Sequence, residues 1–192
     1  GEKREARLYL VAGKYGTSKM PENITLRVDL RTDPSGGPLQ VVGGDEGPRR
    51  IVVEVDGEEQ FIELGSRGKW VEDSLLVAGE RLMAGLTSVG GKLYMLGGRT
   101  VERILNSNEA YDPTTREWSL VQNMTQSRRG LGIAVMDGKI YVAGGQNEKG
   151  ATDTLECYDP ETDSWKQLAR MGHKRLNFGL VVCEGCLWAV GG

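Results

Sequence analysis

Three cysteines and a single histidine are the residues of this 192-residue chain best suited to metal or nucleophilic chemistry. Two of the cysteines lie in Cys183-Glu184-Gly185-Cys186, a CxxC pair. A structural zinc site needs four ligands, and only Cys157 and His173 remain among the usual soft donors. The pair also flanks Glu184-Gly185, which reads as a tight hairpin turn. It is therefore read as structural or incidental, with zinc or redox chemistry as the lesser alternative. His173 stands in a loop ahead of Arg175 and reads as a surface residue. No nucleophile–base pair, phosphate loop or carboxylate pair has a supporting context. Gly130-Leu131-Gly132 falls in a strand rather than before a helix, so it is no nucleotide fingerprint. Asn23-Ile24-Thr25 and Asn123-Met124-Thr125 fit the glycosylation pattern and read as chance matches. The expected catalytic, cofactor and metal residues are none.

Composition narrows the partners. Twenty-four basic against 27 acidic residues leave a net charge of −3, which gives no long-range attraction to nucleic acid. The apolar runs are far shorter than the ~20 residues of a membrane span. The charged start, Gly1-Glu2-Lys3-Arg4-Glu5, leads into no signal-peptide core. An odd cysteine count argues against a disulfide framework and suits a reducing, cytoplasmic setting.

The elements that would position any site come from the 28 glycines. Paired glycines end short apolar runs at Gly43-Gly44, Gly97-Gly98, Gly144-Gly145 and Gly191-Gly192, and the last three pairs are 47 residues apart. Tyr111-Asp112-Pro113 recurs at the same offset as Tyr158-Asp159-Pro160, Trp118 as Trp165, and Arg81 as Arg128 and Arg175. Turn glycines Gly91, Gly138 and Gly185 keep it too. Several features in one register define a tandem repeat. The first repeat is stretched: seven extra residues separate Gly44 from Gly98, six of them before Trp70. The extra length is assigned to a hairpin within 52–61 turning at Asp56-Gly57. Glu63-Leu64-Gly65 replaces Tyr-Asp-Pro there.

Each repeat reads as four short strands with no helical period. Between Gly145 and Gly192 these are 154–158, 165–168, 178–183 and 186–190, taken together as one sheet. Four-stranded sheets repeated at ~50 residues mark β-propeller blades. The expected fold is all-β: about three blades, 39–98, 99–145 and 146–192, after an incomplete blade or linker at 1–38. Within that segment 8–13 resembles a blade's last strand, 24–30 alternates as a strand, and Asp33-Pro34-Ser35-Gly36 is a turn.

The double glycine, Tyr-Asp-Pro, Trp six residues after Asp and Arg ten later resemble the kelch repeat over residues 39–192. The run from Glu156 to Trp165 is most similar to kelch domains of BTB–kelch proteins. That resemblance implies a six-bladed propeller in the intact protein, more than 192 residues hold, so this chain is expected to be part of a longer one. No BTB or BACK segment is visible. The resemblance implies a substrate-recognition module for a cullin–RING ubiquitin ligase, meeting the cullin through a BTB region outside this chain. Actin binding in a cytoskeletal setting is the alternative. A kelch-fold enzyme is remote, since kelch copper oxidases would need several histidine and tyrosine ligands.

The repeated Arg81, Arg128 and Arg175 are read as structural, an arginine fork satisfying carbonyls or acidic groups. Partner contacts are expected instead from variable residues at equivalent loop positions. After the double glycine these are Asp45, Arg99 and Gln146. Two residues beyond the arginine they are Met83, Gly130 and Asn177, with Ser127, Arg129 and Phe178 nearby. The resemblance implies that these two loop classes border the partner face.

Overall fold

The computed structural model describes residues 76, 77, 79 and 81–192 in full, and earlier residues only where they form strands. Asp45, Gly43, Gly44, Trp70, the turn at 33–36 and the Asp56-Gly57 turn lie outside the described residues. Among the described residues there is no helix, and none long and apolar enough to cross a membrane.

Two units are distinguished. The first contains β1 (Glu5–Val11), β2 (Ile24–Arg31), β3 (Gln40–Val41), β4 (Arg49–Val55), β5 (Glu58–Leu64) and β6 (Val71–Leu75). β2 pairs antiparallel with β1 and β3, and also pairs with β6, giving a four-stranded sheet. Strands were expected at 8–13 and 24–30; β1 covers 8–11 and β2 covers 24–30, while residues 12 and 13 lie outside the described residues. β4 and β5 pair antiparallel, from Arg49 opposite Leu64 to Val55 opposite Glu58, a longer pairing than the expected hairpin within 52–61.

The second unit carries the repeat. Its strands are β7 (Gly85–Val89), β8 (Lys92–Leu96), β9 (Asn108–Asp112), β10 (Glu117–Val121), β11 (Gly132–Met136), β12 (Lys139–Ala143), β13 (Gln146–Asn147), β14 (Gly150–Ala151), β15 (Leu155–Asp159), β16 (Ser164–Gln167), β17 (Gly179–Cys183) and β18 (Cys186–Val190). Two antiparallel four-stranded meanders result, β7-β8-β9-β10 and β11-β12-β15-β16, followed by the hairpin β17-β18.

This corrects the expected grouping. The strands between consecutive double glycines do not make one sheet. The chain leaves β12 at Gly144-Gly145 and returns as β15 to pair with β12 itself, Ile140 opposite Tyr158 and Ala143 opposite Leu155. A glycine pair thus sits inside a blade, between its second and third strands. β17 and β18 begin the next sheet.

The first strands β7, β11 and β17 pack side by side, so successive sheets face one another. Tyr94, Leu96, Ala110, Met124, Leu131, Ile140, Val142 and Tyr158 fill the space between the first two. Each such large apolar side chain stabilises by roughly 1.5–3 kcal/mol on burial. The recurring aromatics behave as large apolar fillers should: Tyr158 lies 5.0 Å from Trp165 in its own sheet and 5.9 Å from Tyr94 in the neighbouring one. Ala134, Ala143 and Leu180 join the second sheet to the third hairpin, with Phe178, Leu187 and Ala189 against them.

Because both four-stranded sheets of the second unit are meanders, their connections segregate. The tight turns Gly90-Gly91, Asp137-Gly138 and Glu184-Gly185 close first hairpins at one end. Loops 97–107, 122–131, 144–154 and 168–178 lie at the other.

Candidate functional site

At the loop end each repeated arginine fastens the connection that enters a sheet to that sheet. Arg128 donates to the Gly144 carbonyl (2.8 Å), the Thr154 carbonyl (3.2 Å) and Thr154 Oγ1 (2.9 Å), and pairs with the Glu156 carboxylate. Both side chains are fully buried. Glu156 also accepts from Thr125 N (2.9 Å) and Thr125 Oγ1 (2.7 Å) in the connection from the previous sheet. Arg81 repeats this with Gly97 O (3.2 Å), Ser107 O (2.9 Å) and buried Glu109, whose other oxygen accepts from Val77 N (2.6 Å). Burial pushes both guanidinium groups below the ordinary arginine value, and the paired carboxylates oppose that shift. Arg175 bonds the Gly191 carbonyl in the same manner. Each of the three arginines thus donates its guanidinium to groups within the fold. Their acidic partners were missed, although Glu109 and Glu156 keep the same 47-residue spacing.

The double glycine completes the joint. Gly98 N donates to Arg128 O (2.9 Å) and Gly145 N to Arg175 O (2.8 Å), each a bond to the connection leading into the next sheet. Gly144 and Gly145 have φ of 57° and 87°. A Cβ on Gly144 would come within 2.7 Å of Arg175 O, and one on Gly145 within 2.8 Å of Arg129 O. Only glycine combines that φ with that approach.

On this frame sit the residues expected to meet a partner. Leu82 and Arg99 exchange both backbone bonds at 2.9 Å, and Arg99 also bridges to Ile104. One repeat on, Arg129 and Gln146 exchange bonds of 3.0 and 2.9 Å, and Gln146 lies opposite Ala151 in the β13-β14 hairpin. The side chains change between repeats while the backbone rung does not. Arg129 Nη2 donates to Gln146 Oε1 (2.8 Å), and Nη1 lies 3.5 Å from Met83 Sδ. Arg99 donates to carbonyls of its own loop, Thr100 O (3.0 Å) and Val101 O (3.3 Å). Arg99, Ile104, Arg129, Gln146, Asn147 and Glu148 line a cleft of about 260 Å³. Ser127 borders a neighbouring depression with Gln126 and Lys149.

Met83, Gly130 and Asn177 form a second series with a different character. Their φ values are 56°, 58° and 55°. Gly130 N donates to Met83 O and Asn177 N to Gly130 O, both at 2.9 Å. The position is a backbone link between sheets, and it leaves the Met83 and Asn177 side chains exposed. Gly130 is hemmed by Asn177 Oδ1 and Leu176 Cδ1, so its part is in the link. Phe178, expected near the partner face, turns inward: its ring covers Gly132 and Gly144 and packs with Leu180. The structure thus brings Met83, Arg99, Arg129 and Gln146 together and sends Phe178 to the core. Asp45 lies outside the described residues.

No three His, Cys, Asp or Glu side chains come together as a metal site among the described residues. His173 is exposed, and Cys157 is buried. Burial pushes the Cys157 thiol up, against a hydrogen bond from Tyr141 that lowers it.

Comparison with known proteins agrees with this frame. A search of curated proteins returns no match. Among solved structures the chain is similar to that in "Structure of YjhT", at 18% identity and a TM-score of 0.59 over 85% of this chain. It spans about half, 51%, of that chain's length. That likeness concerns the fold, a kelch-type propeller. The family model of the Kelch motif matches residues 80–125 and 127–172. Each match runs from just before or at a repeated arginine's connection through one complete four-stranded sheet. The second unit therefore carries two tandem Kelch motifs, and its fold is part of a kelch-type β-propeller.

Proposed function

We propose that this chain is the partner-recognition part of a propeller that binds a protein or short peptide at its loop end. The observation that carries the reading is the constant backbone rung bearing changing side chains, Leu82–Arg99 in one repeat and Arg129–Gln146 in the next. A fixed scaffold with variable polar and charged side chains is how loops serve recognition. Arginine is also enriched among residues that dominate binding energy. The finer reading, from the likeness of 156–165 to BTB–kelch proteins, is a cytoplasmic substrate adaptor for a cullin–RING ubiquitin ligase, the BTB region lying outside this sequence. A binding module rather than an enzyme fits the absence of any catalytic grouping in the sequence motifs.

Affinity isolation with the wild type, Arg99→Ala and Asn177→Ala tests it. The reading expects one specific partner, depleted at least about tenfold (about 1.4 kcal/mol) by Arg99→Ala, whose ubiquitination falls when this protein is removed. Co-pelleting with actin filaments, with no such partner, would favour the cytoskeletal alternative. Capture unchanged in both variants would reject the assigned face.

A further inference from the structure

Cys183 and Cys186 are the last residues of β17 and the first of β18, and they stand directly opposite one another. The two residues between them, Glu184 and Gly185, have φ of 51° and 70°, the left-handed pair of a two-residue hairpin turn. Opposed residues of an antiparallel pair have Cα atoms about 4.5 or 5.5 Å apart, depending on the hydrogen-bonding site. Both separations fall within the roughly 4.4–6.8 Å that a disulfide spans. Opposed residues also project to the same face of the sheet.

That face is open. Along β18 exposure alternates: Cys186, Trp188 and Val190 are exposed, while Leu187 and Ala189 turn to the core. Both thiols are free and exposed. Beside the same turn in the four-stranded sheets, the equivalents of Cys186, Lys92 and Lys139, are 47% and 42% exposed, and those of Cys183, Val89 and Met136, are partly exposed. The third thiol is no competitor, because Cys157 is buried in β15.

From this juxtaposition we propose that Cys183 and Cys186 form an oxidisable dithiol, a modification site for small peroxides that closes to a cross-strand disulfide. One thiol attacks an oxygen of hydrogen peroxide, the O–O bond breaks, and a sulfenic acid and water form (an alcohol in place of water from an alkyl peroxide). The opposed thiol then attacks that sulfur, the S–O bond breaks, and the second water leaves as the S–S bond forms. Two electrons pass from the thiols to one peroxide. A dithiol reductant reverses the reaction by exchange. The opposed register makes the second step intramolecular, so it outruns capture by another chain or over-oxidation.

Trp188 supplies an internal reporter. It shares the exposed face with Cys186, and its Nε1–H donates to the Cys183 carbonyl (3.2 Å). Hydrogen peroxide should be added stepwise to the reduced chain and to Cys186→Ser. In the wild type, thiols counted after denaturation should fall from three to one and mass by about 2 Da, the loss of two hydrogens. The product should stay monomeric, show altered Trp188 emission, and revert with dithiothreitol. Cys186→Ser should lack the 2 Da loss and accumulate oxygen adducts or disulfide-linked dimers instead. Oxidation of the wild type to sulfinic acid, dimers through these cysteines, or a disulfide that includes Cys157 would each overturn the proposal.

Discussion

Replacing Glu156 by alanine should be among the most damaging single changes in the second unit. The side chain is fully buried and serves three donors: the Arg128 guanidinium, Thr125 N and Thr125 Oγ1. Without it, a buried arginine is left with carbonyl and hydroxyl partners only, and a backbone N–H loses its acceptor. Breaking a buried pair from one side costs about 3–5 kcal/mol, because the remaining charge stays out of water uncompensated. At roughly 2–4 °C per kcal/mol for a chain of this size, the melting temperature should fall by about 6–20 °C. Arg128→Ala should cost a similar amount. The double variant Arg128→Met with Glu156→Leu removes both charges and should recover much of the loss, since apolar replacement of a whole buried pair is often close to neutral. Arg170→Ala is the internal control. Its ion pair with Asp153 lies on the exposed surface, so it should cost no more than about 1 kcal/mol. Urea unfolding followed by tryptophan emission reads all four variants. Glu156→Ala costing under about 1 kcal/mol, or a double variant as damaged as the two singles summed, would refute the view that a buried charge pair holds this joint.

Further outcomes follow from the same frame. Gly130→Ala should destabilise more than Gly138→Ala by urea titration: both carry positive φ, costing about 1–2 kcal/mol for alanine, but only Gly130 has Leu176 Cδ1 within 2.7 Å of the new Cβ while Gly138 has open space. The Lys139 ammonium bonded to Asp159 holds that carboxyl below its ordinary value. The stability it adds is present above the unfolded carboxylate value of about 3.9 and is lost as pH falls through the lower folded value, so Lys139→Met should lower stability slightly at pH 7, converge with the wild type in strong acid, and so flatten the acid limb of a stability–pH curve below about pH 4. Tyr158→Phe should cost about 0.5–1.5 kcal/mol, because the phenol donates to Asp163 Oδ1 at 2.7 Å while Asp163 keeps its bond from Gln122 N at 2.8 Å. Burial, then Asp163, raises the Tyr158 phenol, so the variant should leave the absorbance step near pH 10 unaltered in an alkaline titration.

The repeat was legible because its markers cannot be exchanged freely. Gly144 and Gly145 need positive φ beside a neighbouring carbonyl, and Tyr158 and Trp165 fill fixed spaces, so these types recur at one spacing. Spacing gives a period but no phase. Nothing in the interval from Gly145 to Gly192 says that β15 turns back onto β12 rather than forward onto β17, and the strands were grouped one hairpin out of step. Glu109 and Glu156 recur with equal fidelity yet resemble ordinary strand polar residues until their burial against arginine is seen. Phe178 follows the left-handed Asn177, and that reversal carries its ring inward, which residue type alone does not signal. The backbone link at Met83, Gly130 and Asn177 was hidden for a related reason: three different side chains satisfy one backbone requirement.

Recognition at the loop end is tested most directly by measuring one isolated partner's affinity for the wild type, Arg99→Ala, Gln146→Ala and Lys92→Ala, each first shown to unfold like the wild type. Arg99 and Gln146 stand on the rungs of the loop end, and Lys92 flanks a tight turn at the other. The account predicts a loss of about tenfold or more, roughly 1.4 kcal/mol, for Arg99→Ala or Gln146→Ala, and unchanged affinity for Lys92→Ala. Loss confined to Lys92→Ala, with both loop-end variants binding as the wild type does, would contradict it.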